Sequence, residues 1–335
     1  MKRNERVLAA LNHKETDIVP YFVEFTEQER KRVVAYAGDE NILDKWGLHL
    51  HYTQYWGWPA EIPGNSGHFK DVFGVVWDRS GADKDIGVVR RPVISDLDDF
   101  QYTFPSVDEK RLRKEYETLI STKEDKFVMA GIGFLMYERL WSLCGVENAL
   151  AGMLESPQGV HKLLDMAYEH YEKVVDIALE YEIDGFYFGD DWGQQKGLIM
   201  GPKHWRTFIK PQMKKLYEKV KNKGKYVIQH SCGDISEILT DLIEIGCDCY
   251  QTVQPEIYNL ETLKKEYGMD LSFWGAVSTQ QLLANASPDK VKEETARIIG
   301  IMGRNGGYIA APTHAVPPDV PPENIIAMMD VFINQ

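Results

Sequence analysis

The chain has 335 residues, 44% of them hydrophobic and 27% charged, a globular balance that excludes disordered and fibrous classes and allows two domains or one large α/β barrel. A formal charge of −13, from 38 basic and 51 acidic residues, repels phosphate backbones and excludes nucleic acid as a general partner. No apolar run reaches the roughly 18 residues of a membrane span, the start MKRNERVLAALNHKE has no apolar signal core, and four cysteines are too few for a disulfide scaffold, which together point to the cytoplasm.

In chain order, residues 4–12 have helical spacing with Asn4 as the expected cap. Pro20 then punctuates a short apolar run, and 20–26 reads as a first buried strand. LHLHYTQYW (48–56) is a second strand of mixed polarity, and residues 71–92 hold two apolar runs around Ser80-Gly-Ala-Asp83. That pattern predicts a β-hairpin inserted after the second strand, within 70–92 and covering one barrel end. The stretch 109–126 reads as a solvated helix face. Further strands are expected at 126–134, 183–191, 224–233, 247–253, 270–278 and 306–314, with helices at 146–181, 202–223, 235–245 and 289–304 between them. Strands alternating with helices argue for parallel βαβ units. Eight strands in one domain spanning 1–335 fit an α/β fold of the (β/α)8 TIM barrel type. A doubly wound open sheet is second, because the first strand–helix turn lacks a glycine-rich dinucleotide fingerprint.

Barrel active sites lie at the C-terminal ends of strands. His230 and Cys232 end the fifth predicted strand, and residues two apart on a strand point the same way. Imidazole nitrogen and thiolate sulfur both suit zinc; the bland alternative is a buried free cysteine beside a hydrogen-bonded histidine. His314 follows the eighth strand in a proline-stiffened loop, so that His230, Cys232 and His314 form a three-ligand set with one open position. Glu24 and Asp190, at the ends of the first and fourth strands, are candidates for a fourth ligand or a general acid/base. Asp191 reads as a helix cap. Tyr187, Trp192, Gln251 and Trp274 sit at strand ends and are expected to line a pocket; the default for such aromatics is core. Cys144, Cys247 and Cys249 read as buried core.

These residues resemble the uroporphyrinogen decarboxylase superfamily over nearly the whole chain. The matching pieces are RVLAALNHKETDIVP, DGFYFGDDWG, MGPKHWRTFIKPQMKKL, HSCGDI and APTHAVPPDVPPENI. The resemblance implies a (β/α)8 barrel. The true decarboxylases of that superfamily carry an Arg-rich stretch after the first strand and an Asp on the second; here FVEFTEQER offers only Arg30 and LHLHYTQYW has no Asp. The zinc-dependent methyltransferases carry H-x-C and a distant Cys in A-P-x-C, matched here by His230, Cys232 and, with a changed ligand, His314 in A-P-T-H. The resemblance therefore implies Zn2+, a corrinoid (cobalamin) protein as partner, a small methyl donor or acceptor such as a methoxylated aromatic, and an oligomer as a possibility. A metal-free decarboxylase and a non-catalytic tetrapyrrole or corrinoid binding protein are the alternatives. With one thiolate replaced by imidazole, the ion is expected to be more Lewis-acidic.

Overall fold

The computed structural model describes residues 1–81 and 87–335. Seven strands form one parallel sheet: β1 (Leu50–Tyr55), β2 (Phe127–Ile132), β3 (Gly185–Gly189), β4 (Tyr226–His230), β5 (Cys249–Val253), β6 (Ser272–Val277) and β7 (Tyr308–Pro312). Each pairs with the next in the chain, and all seven match the sequence expectation to within a few residues. The strands from β2 onward are almost wholly buried, as a parallel sheet covered by helices on one face and self-packed on the other requires. Helices Glu109–Ser121, Pro157–Ala178, Lys210–Asn222, Leu239–Glu244, Leu260–Tyr267, Pro288–Met302 and Pro322–Ile333 supply the crossovers and outer layer. The fold is α/β and TIM-barrel-like.

The expected first strand is not regular. Residues 20–26 make isolated parallel bridges instead, Tyr21 to Ala310 and Phe25 to Val316. Phe22 N–H donates to Ala310 O at 2.9 Å and Thr26 N–H to Val316 O at 3.2 Å. Four residues on one side therefore match six on the other, and the surplus bulges out around His314. On its other flank, Tyr21 O accepts His49 N–H just before β1, so this segment lies between both sheet edges.

Strand alternation sorts the core into two sets. Leu50, Phe127, Met129, Tyr187, Ile228, Cys249, Trp274, Ile309 and Ala311 form an inner cluster, joined by Phe22, Tyr52 and Tyr226. Val128, Ala130, Phe186, Phe188, Val227, Tyr250 and Phe273 face the helices. Helix Arg3–Leu11 stoppers the N-terminal strand ends through Val7 and Leu11 of the inner cluster. Asn4 is not its cap: Lys2 holds that position, with its N–H on the Glu5 carboxylate at 2.9 Å, while Asn4 N–H bonds Asp125 O.

The insertion is larger than a hairpin. It is a four-stranded antiparallel sheet of Ala60–Glu61, His68–Lys70, Val76–Asp78 and Val88–Val89. Its first two strands are too short to show alternation in sequence. Residues 82–86, which include half of the Ser80–Asp83 turn, lie outside the described residues. Trp77 packs edge-on against Phe134 and Trp141, just past the C-terminal end of β2, which sets the insertion beside the barrel mouth. Its root is a buried ion pair, Asp71 with Arg139 at 3.2 Å. Among the described residues no helix is long and apolar enough to cross a membrane. Cys144, Cys247 and Cys249 are buried and unbridged, as expected.

Candidate metal centre

The inward set on β4 continues from Tyr226 and Ile228 to His230 and, past the strand end, Cys232. The inward set on β3 continues from Tyr187 through Gly189 to Asp191. The two rows meet at the mouth. Asp191, His230 and Cys232 bring one ligand atom each within 4.8 Å of one another. His230 Nε2 stands 3.2 Å from Asp191 Oδ1 and 3.7 Å from Cys232 Sγ. Two donors bound tetrahedrally to one zinc stand roughly 3.3–3.6 Å apart. A carboxylate, an imidazole and a thiol at this spacing therefore fit such an ion, with an open position left for water or substrate.

The loop carrying Cys232 is held from several sides. Cys232 N–H donates to Asp191 Oδ1 at 2.7 Å, and Gly233 N–H to Gln254 Oε1 at 2.8 Å. Tyr250 and Tyr258 hydroxyls donate to the carbonyls of Ser231 and Gly233 at 3.0 and 3.1 Å. Gly233, at φ +79°, lies so close to Gly193 that a Cβ would meet its carbonyl carbon at 2.2 Å. Burial pushes the Cys232 thiol up, and His230 only partly draws it back. Burial acts the same way on Asp191, but there His230, the Cys232 N–H and the nearby His314 hold the carboxyl below its ordinary range.

Asp191, expected as the cap, faces the mouth, while Asp190 takes a capping place with its carboxyl raised by burial to about 7. Its fully buried carboxylate accepts Tyr137 N–H at 2.9 Å and Glu138 N–H at 2.8 Å, the free donors that open helix Tyr137–Cys144, and Trp192 Nε1–H at 2.6 Å. The physical reason is alternation: with Tyr187 inward, Asp190 and Trp192 point out toward the helices. Trp192 accordingly is not a pocket residue; it is fully buried and packs edge-on to Trp205. The same count assigns Asp191 to the mouth, and it is the signal that finds this candidate ligand.

His314 stays outside the three-residue group. It sits exposed on the bulge after β7 and overlooks Asp191. Glu24 is also exposed at the mouth, with the Tyr52 hydroxyl on its carboxylate at 2.6 Å. Tyr187 and Trp274 are buried 5.8 Å apart and, with Tyr52 and Phe22, make an aromatic floor beneath the ligands. Gln251 lies beside His230: its Oε1 receives the His230 Nδ1 side and the Tyr187 hydroxyl, the latter at 2.9 Å. Sequence reasoning missed Glu138. This half-buried carboxyl, in the first turn of its helix, is raised by burial and then by Asp191 and Asp190. A cleft of about 530 Å3 between His51–Thr53 and helix Glu109–Ser121 shares Tyr52 with this floor and is lined by none of Asp191, His230 and Cys232.

The sequence profile described as uroporphyrinogen decarboxylase (URO-D) matches residues 80–334. A uroporphyrinogen decarboxylase of Chloroherpeton thalassium is 25% identical over 185 residues, 53% of this chain and 49% of that protein. A methylated-thiol–coenzyme M methyltransferase of Methanosarcina mazei is 23% identical over 197 residues, 58% of this chain and 48% of that protein. The chain spans about half the length of the curated relatives it matches. A solved methyltransferase from Methanosarcina mazei superposes with a TM-score of 0.73 at 19% identity, covering 99% of this chain and 98% of that one, a likeness of fold. With three quarters of its length matched by the profile, the chain belongs to the uroporphyrinogen decarboxylase family.

Proposed function

We propose that this protein is a zinc-dependent methyltransferase that moves a methyl group between a small substrate, such as a methoxylated aromatic, and the cobalt of a corrinoid carried by a partner protein. The observation that supports it is the convergence of Asp191, His230 and Cys232 at the C-terminal strand ends. These three would hold the metal, and His314, exposed on the bulge above them, overlooks the position left open for substrate. Bound zinc supplies positive charge that stabilises a substrate sulfur or oxygen as its anion. The chain's own residues do the rest. Tyr187 and Trp274 give a flat apolar floor to an aromatic ring, and Glu24, exposed and bonded to Tyr52, takes or gives the proton that accompanies the anion. The insertion sheet beside the mouth walls one side of the surface on which the corrinoid protein docks.

The test is metal content of protein purified without a histidine tag, wild type beside Cys232→Ser, followed by methyl transfer to Co(I) cobalamin from methoxy compounds and thiols. About one zinc per chain, lost in the variant, with chelator-sensitive transfer, is the expected result. Wild-type protein that takes up no zinc, or releases CO2 from a carboxylated substrate regardless of chelator, overturns the proposal in favour of metal-free decarboxylation.

A further inference from the structure

His230 serves a metal through Nε2 only in the tautomer whose proton is on Nδ1. Its Nε2 faces Asp191 and Cys232, and its Nδ1 faces Gln251 Oε1. That same oxygen accepts the Tyr187 hydroxyl at 2.9 Å. One carbonyl oxygen has two lone pairs and so takes both donors. With the imidazole proton on Nδ1, only the carbonyl end of the Gln251 amide can face the ring, and the Tyr187 hydroxyl donates to that same oxygen. Gln251 is 8% and Tyr187 6% exposed, which keeps water from substituting for either. The Tyr187 ring also stacks on the imidazole, with centroids 6.0 Å apart and planes at 29°. The Gln251 side chain meets the centre through His230, while its backbone carbonyl accepts Ser231 N–H at 2.7 Å.

We infer that Gln251 and Tyr187 are a positioning pair that sets the His230 tautomer and ring orientation and thereby the affinity of the centre for its metal. This rests on the metal reading of the Asp191–His230–Cys232 group. Partners of this kind on ligating histidines contribute about ten- to a hundred-fold in metal affinity.

The experiment is zinc affinity by competition with a chromophoric chelator, together with the visible absorption of the cobalt(II)-substituted protein. Four proteins are compared: wild type, Gln251→Leu, Gln251→Glu and Tyr187→Phe. Gln251→Leu, which removes the acceptor, is expected to weaken zinc about ten- to a hundred-fold and to alter the cobalt spectrum. Gln251→Glu, which keeps an acceptor oxygen, restores tight binding. Tyr187→Phe frees the amide to rotate and gives a smaller loss. A purely structural role would lower the melting temperature of the metal-free protein without this order of affinities. Wild-type protein that binds no zinc overturns the metal reading itself. Wild-type protein that binds zinc, with Gln251→Leu and Tyr187→Phe binding equally well, overturns only the positioning pair. If Gln251→Leu does not fold, unchanged affinity in Tyr187→Phe still refutes it.

Discussion

Adjacent aspartates at the end of β3 are expected to fail in opposite ways when each is made asparagine. Asp190 accepts three hydrogen bonds in a site with no solvent exposure. An asparagine oxygen has lone pairs for two of them. Its NH2 then confronts the third donor, leaving a buried polar group unsatisfied at a cost of about 1–3 kcal/mol. Loss of a negative charge at the first turn of helix Tyr137–Cys144 adds about 0.3–1 kcal/mol. Relief of the carboxylate's own burial offsets part of this, since burial is the main force raising the Asp190 carboxyl. A net loss of about 1–3 kcal/mol follows, a large share of the roughly 5–15 kcal/mol of a folded domain. Asp191→Asn keeps an oxygen for Cys232 N–H and sits at a side chain 37% exposed, so stability changes by less than about 1 kcal/mol. Its cost falls on zinc, because the ligand set loses a charge. Urea unfolding of the metal-free proteins and chelator competition on the loaded ones separate the two. Asp190→Asn that is as stable as wild type, or Asp191→Asn that keeps full zinc affinity, refutes the assignment.

Three further outcomes are expected. His314→Ala should weaken zinc binding far less than Cys232→Ser, because His314 stands outside the group of three; equal losses on titration with chelator would make it a full ligand. Arg139→Met should destabilise by about 3–5 kcal/mol in urea, since it strands Asp71 as a buried charge, and Asp71→Asn added to it should recover part of the loss. His170, its Nδ1 on Pro105 O and its Nε2 taking the Tyr55 hydroxyl, is pushed down by burial to about 4 from 6.5. The unfolded chain then binds the extra proton first, so the stability held above pH 6.5 drains away as pH falls toward 4. His170→Gln should flatten that limb of the unfolding curve, and an unchanged slope would remove His170 as its source.

Most of the sheet was legible because parallel strands buried on both faces leave short, largely apolar runs, and six such runs became β2 to β7, while the mixed-polarity run at 48–56 became β1. His230 and Cys232 were legible for a related reason: same-face spacing at a strand end. What escaped the sequence depends on backbone paths that residue types do not encode. Pairing of 20–26 with β7 is broken by a two-residue surplus, and nothing in APTHAVPP announces which residues bulge. The short strands at 60–61 and 68–70 carry no periodicity. Asp191 was within reach, since counting by twos from an inward Tyr187 arrives at it; the Asp-Asp pair looked equivalent only while its two faces were not counted. Gln251, expected to line a pocket, has His230 as its partner, across the β4–β5 pairing in which it lies opposite that histidine.

Asp191 also changes the electrostatic expectation for the centre. Two histidines and one thiolate would leave a zinc ion with a net charge of about +1, and hence strong Lewis acidity. Adding the Asp191 carboxylate brings the ligand charge to −2 and the centre to neutrality, whether or not His314 joins, because imidazole is neutral. A neutral centre binds an anionic substrate sulfur or oxygen less tightly and leaves it more nucleophilic, so release of the anion costs less. The greater Lewis acidity expected from replacing a thiolate by His314 is thus offset by a carboxylate one strand away. Asp191→Asn separates the contributions: it should shift preference toward oxygen substrates, measured as the ratio of transfer rates from a methoxy compound and a methyl thioether under saturating zinc. A ratio that does not move would mean that the carboxylate orients Cys232 and His230 without donating charge to the ion.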